Sequence, residues 1–129
     1  MSCTQFIIQS FAVRDAAHLA HLTSRSYSEH MALDTFYNAI LDLTDKFAEV
    51  YTGLTGKIPK YPPLKPLDYD DTVELLEDYL ALVKEEQGDG DDDAKEADGD
   101  ADDSQALLNI LAEMEELTAQ TLYKLKFLK

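Results

Sequence analysis

The chain has no tryptophan, one cysteine, five glycines and few cations: 11 Lys and Arg stand against 26 Asp and Glu, a formal net charge of −15. A single cysteine, Cys3, excludes an internal disulfide and fits a reducing, cytoplasmic setting. It has no neighbouring base in sequence, so it reads as an inert thiol rather than a nucleophile. The scarcity of cations argues against direct nucleic-acid binding, which needs clustered Lys and Arg to displace counterions from phosphates. Arg14 is the one Lys or Arg among the first 24 residues, and Lys124, Lys126 and Lys129 read as complements to the dipole of a last helical turn. Cations are the more natural partners. No apolar run approaches the roughly 20 residues of a membrane span. The N-terminal MSCTQFIIQSFAVRD has neither the basic region nor the unbroken apolar core of a signal peptide.

What is present is helical periodicity. The 129 residues read as a single domain, 1–129, all-α, an antiparallel four-helix bundle. The first helix is predicted over about residues 4–23, with Phe6, Ile7, Phe11, Ala17 and Leu22 facing inward. The second, about 27–52, has the strongest signal. Leu33, Ile40, Phe47 and Leu54 recur every seven residues, with Phe36, Leu43 and Val50 interleaved, which is a bundle seam. Gly53 and Gly56 are expected to end it. All four prolines fall within positions 59–66, so residues 56–70 cannot be a continuous helix and read as a long crossover between helices 2 and 3. A third helix opens at Asp71, paired with Glu74 in a capping-box-like pattern, and runs to about Gln87. Residues 88–103 carry nine carboxylates and one lysine with no apolar residue beyond alanine, and read as an acidic, solvated, mobile loop. The last helix starts near Asp102, with Leu107, Leu111, Met114, Leu117, Leu122 and Leu125 as its stripe.

Polar residues follow a second pattern, His18-x11-His30-x3-Asp34-x10-Asp45-x3-Glu49. At about 100° per residue, His30, Asp34, Asp45 and Glu49 share a flank of the second helix, well round from the Ile40 seam. Asp34 and Asp45 lie about 16 Å apart along the axis, so one chain cannot close both pairs on one ion. An antiparallel copy can. A two-fold axis between Asn38 and Leu41 places Asp34 opposite the second copy's Asp45 position, and His30 opposite its Glu49 position, twice over. A hairpin centred on Ser24 would return His18 beside His30. Two imidazoles with carboxylates suit iron and, less selectively, zinc or manganese.

These residues resemble the Dps-type miniferritins, ferritin-like four-helix subunits. The resemblance extends from about residue 10 to 129 and is sharpest over 18–49, where the ligand spacing is matched without a gap. It implies ferroxidase chemistry on ferrous iron at sites shared between subunits, with His18, His30 and Asp34 from one chain and Asp45 and Glu49 from its partner. It implies a homo-oligomer, a dimer as minimum and a dodecameric cage that stores ferric iron. Departures are the missing basic DNA-binding tail, Leu19 where tryptophan is common after the first histidine, a long acidic loop and a short first helix. Classical ferritins instead use Glu-x-x-His pairs aimed into the bundle, and none is present.

Plainer readings stand beside these. His21 matches no ligand of that family and reads as a surface or packed histidine. Tyr27, close to His30, is a candidate for radical or hydrogen-bonding roles. The Asp89-x-Asp91-x-Asp93 run suggests an EF-hand, but Ala94 and Asp100 occupy the positions that need glycine and glutamate. The alternative function is a non-enzymatic acidic helical binding protein that kept the scaffold and occupies a basic partner surface.

Overall fold

The first three helices each begin where a side chain takes up an orphan backbone N–H group. The computed structural model describes residues 1–97 and 101–128, the side chains of 89–97 and 101–104 excepted. Helix α1, Cys3–Thr23, opens on a capping box in which the Ser2 hydroxyl accepts from Gln5 N and Gln5 Oε1 accepts from Ser2 N. Helix α2, Tyr27–Thr55, opens on Ser26, whose hydroxyl accepts from Glu29 N. Helix α3, Thr72–Ala97, opens on Asp71, whose carboxylate accepts from Glu74 N at 3.0 Å. Helix α4 is Ala101–Phe127. Gly53 lies inside α2; Gly56, at φ 71°, is the residue that ends it, its N–H reaching Thr52 O.

The connection from α2 to α3 decides the topology. Thr72 donates to Glu29 Oε2 at 3.0 Å, so α3 starts beside the start of α2. The chain must therefore travel back along the whole of α2. That helix has 29 residues, about 43 Å at 1.5 Å per residue. Sixteen extended residues, 56–71, reach about 50 Å at roughly 3.1 Å each, which is enough. The prolines keep this segment extended and free of helix or strand. Helices α2 and α3 thus run parallel on a diagonal, while α1 and α2, α3 and α4, α2 and α4, and α1 and α3 pack as neighbours. Antiparallel register is visible in the α3–α4 cross-links: Gln87 donates to Glu115, and Glu77, one long step back along α3, meets Lys126 far along α4.

The core follows the seven-residue pattern. Leu33, Phe36, Ile40 and Phe47 of α2 are buried, with Phe6, Ile7, Val13 and Ala17 of α1, Leu76, Tyr79 and Val83 of α3, and Leu107, Leu111 and Met114 of α4. Phe11, Leu43, Val50 and Leu54 are only half-buried. Leu22, expected inward, is 64% exposed: it lies in the last turn of α1 on the side away from the seam.

Two boundaries differ from the sequence reading. Helix α3 runs to Ala97 rather than Gln87, and α4 starts at Ala101, so most of the expected acidic loop 88–103 is helical. Adding residues to an existing helix costs far less than nucleating one, and Ala94, Lys95, Glu96 and Ala97 are good helix formers. What remains between the helices, 98–100, lies outside the described residues, as does the expectation of mobility there. No helix among the described residues is long and apolar enough to cross a membrane.

Candidate functional site

The α1–α2 turn is short, Ser24-Arg25-Ser26, so the last turn of α1 faces the first turns of α2. Helix α1 ends with orphan carbonyls, and side chains take them up. Thr23 Oγ1 lies within reach of Leu19 O and Ala20 O. His21 O is taken by His30 Nδ1 at 2.8 Å, and His30 O by His21 Nδ1 at 2.7 Å. A carbonyl oxygen only accepts, so both Nδ1 atoms donate. Each neutral imidazole is thereby held as the Nδ1–H tautomer, and each Nε2 keeps its lone pair. The two rings stack at 3.7 Å between centroids, 19° from parallel.

Around this pair stand four more groups. Asp34 Oδ1 is 3.9 Å from His21 Nε2. His18 lies flat on the Tyr37 ring, 4.0 Å between centroids and 11° from parallel. Tyr37 also meets His21 edge-on at 5.3 Å, and the Arg14 guanidinium sits over its ring at 5.2 Å. His21 is buried, while His18, His30, Asp34 and Tyr37 are half-buried. The cluster occupies the flank of α2 that the ligand spacing indicated, with the core residues Leu33, Phe36 and Ile40 turned away from it.

Of the five residues singled out by spacing, the fold gathers three, His18, His30 and Asp34, at this end. Asp45 and Glu49 share the same helix but are exposed, about three turns further on. The register at the turn differs from the expected one. His21, not His18, faces His30, because the helix ends are symmetric about residues 25 and 26 rather than Ser24. His18, one turn further from the link, meets Tyr37 instead. His21, read from sequence as a bystander, is the centre of the cluster. The signal was available: His21 and His30 bracket the Ser24–Ser26 turn almost evenly. Tyr27 is exposed and contributes nothing to the cluster. Among the described residues, no group of three or more His, Cys, Asp or Glu side chains is arranged to hold a metal ion within one chain.

Residues 21–125, including His21, His30, Asp34, Asp45 and Glu49, match a family described as "Family of unknown function (DUF5856)". The chain belongs to the DUF5856 family. The match leaves out Arg14 and His18, so the reciprocal His21–His30 pair, Asp34 and Tyr37 are the part of the cluster that falls within the DUF5856 region. The chain is also similar to an uncharacterised 14.6 kDa protein from the mobD-ri intergenic region of Enterobacteria phage T4, at 36% identity over 66 residues. Those residues are 51% of this chain and 47% of the phage protein, so the match spans about half the length of each. No solved structure matches the chain.

Proposed function

We propose that this DUF5856 protein handles iron, binding ferrous iron as substrate between two copies and oxidising it there, as the resemblance to Dps-type miniferritins implies. The observation that carries the reading is the reciprocal Nδ1–carbonyl pair of His21 and His30. Ligating histidines characteristically give their second ring N–H to a backbone carbonyl, which fixes the tautomer and orients the other nitrogen. Both rings have that arrangement here, with the Asp34 carboxylate beside them. The single long crossover is also the connectivity of ferritin-like bundles.

The chemistry divides among the residues by hardness. Imidazoles of His21 and His30, with His18 beside them, favour the ferrous ion, and carboxylates of Asp34, Asp45 and Glu49 favour the ferric product. One electron leaves each ferrous ion and passes to peroxide or dioxygen. Because Asp45 and Glu49 are exposed and about 16 Å and 22 Å from Asp34 along α2, they serve a second copy rather than their own chain. Zinc or manganese would compete for the same donors.

The test follows ferrous oxidation by absorbance, with peroxide and with dioxygen, in the native chain and in Asp45→Ala. Fast oxidation in the native chain, lost in the variant, is the expected outcome. An active Asp45→Ala chain removes the shared site. No rate above buffer in either chain hands the lead to the acidic binding protein that acts on a basic partner surface.

A further inference from the structure

The bundle carries a second feature on another face, between α1, α3 and the end of the crossover. A cavity of about 640 Å³ opens there, within the range of roughly 300–1,000 Å³ typical of ligand sites. Its apolar floor is Val13, Leu67, Leu75, Tyr79 and Leu82, and its rim is acidic: Asp68, Asp70, Asp71, Glu74 and Asp78. Among the described residues none of these five carboxylates has an ion-pair partner. Asp68 and Asp71 accept backbone N–H groups from Asp70 and Glu74, and those bonds leave their charge uncompensated.

The complementary surface is on the same chain. The last turns of α4 are basic and apolar at once: Tyr123 is 55% exposed and Phe127 72%, their rings 6.0 Å apart, with Leu128 exposed and Lys124 and Lys126 interleaved. In a chain of net charge −15 this is a cationic, aromatic tip. It cannot fill its own groove. Helix α4 is continuous to Phe127, and Lys126 is held to Glu77 at 2.7 Å, on the flank of α3 away from the groove. Reaching the groove would mean passing round α3, about 10 Å across.

We propose that the groove between α1, α3 and the crossover receives the C-terminal turn of α4 from a second copy of this chain. The aromatic side chains seat on the apolar floor and Lys124 meets the acidic rim. Groove and tip are different patches, so the contact is head-to-tail and propagates until rotation closes it into a ring or cage. It stands independently of the iron reading, since neither patch includes the histidine cluster.

Particle mass of the full chain, measured by sedimentation velocity at low salt, tests it. The native chain is expected to be larger than a dimer. Glu74→Lys with Asp78→Lys, and separately Tyr123→Ser with Phe127→Ser, should each lower the mass, with melting temperatures checked to show that the bundle persists. The lysine substitutions bring the chain closer to neutrality, which by itself favours association, so lost mass in that variant reports the groove. Adding Lys124→Glu to the groove variant should restore the native mass. A native particle no larger than a dimer overturns the proposal, as does native mass in either variant. Loss of mass in the groove variant alone also overturns it, leaving a different segment of the second copy as the occupant.

Discussion

Two polar constructions in this bundle are built from similar parts and end differently. Inside, between α1 and α3, Tyr79 and Ser10 form a closed chain. Ser10 Oγ donates to Phe6 O at 3.0 Å, so the 2.7 Å contact with the Tyr79 hydroxyl has the phenol as donor. Each hydroxyl proton is used, and both residues are fully buried. On the flank, between α1 and α2, His21 and His30 also satisfy each other, but only at Nδ1. Each ring leaves its Nε2 outside that pair, that of His21 3.9 Å from the Asp34 carboxylate. A polar network that consumes its own capacity holds the fold, whereas one that leaves directed capacity over has something to offer a ligand.

The largest effect that separates the two lies under the interior network. The Phe6 ring stands 6.3 Å from Tyr79, nearly parallel, and 5.3 Å from Phe47, edge-on. Phe6→Ala removes the shared support and should cost about 3–5 kcal/mol in chemical denaturation. A loss similar to that of a flank substitution would mean that the interior is not the stabilising centre.

Next comes an asymmetry within the interior pair. Ser10→Ala strands the buried Tyr79 hydroxyl without an acceptor and should cost about 1–3 kcal/mol. Tyr79→Phe leaves Ser10 bonded to Phe6 O and should cost only about 1 kcal/mol. Equal losses, or the reverse order, would contradict the donor direction assigned here.

Alkaline pH probes the same phenol. Complete burial pushes the Tyr79 hydroxyl well above its ordinary value, and its hydrogen bond with Ser10 only partly offsets this. The folded state therefore holds this proton more tightly than the unfolded chain does. The stability it contributes is complete below about pH 10, the ordinary tyrosine value, and falls by up to roughly 1.4 kcal/mol per unit above it. Denaturation midpoints on either side of that pH should fall more in the native chain than in Tyr79→Phe.

The interior was legible in outline because burial follows period. Leu33, Phe36, Ile40 and Phe47 announce the α2 seam, and the prolines of 59–66 announce the crossover. The Ser10–Tyr79 bond was not legible, since it joins residues 69 positions apart whose register only packing decides. The end of α3 was misjudged for another reason: composition argued for a loop, and helix propagation carried the chain to Ala97. On the flank, spacing placed His30, Asp34, Asp45 and Glu49 on one helix face, as they are. It could not tell which histidine of α1 would meet them, because a one-turn shift at the Ser24–Ser26 link exchanges His18 for His21.

That exchange supplies the smallest stability effect. His21→Phe preserves the stack on His30 while removing the Nδ1–H bond to His30 O and the Nε2 lone pair. His30 keeps its own bond, because its acceptor is the backbone carbonyl of residue 21. The fold should therefore lose about 1 kcal/mol or less, below the cost of Ser10→Ala. Metal response should move further: zinc or ferrous ion, titrated calorimetrically, should bind about tenfold or more weakly, the usual cost of disturbing a ligand or its orienting bond. If affinity survives with only stability reduced, the flank pair belongs with Ser10 and Tyr79 as a fold-holding device. If affinity falls while the fold holds, the uncommitted nitrogen is what distinguishes the two networks.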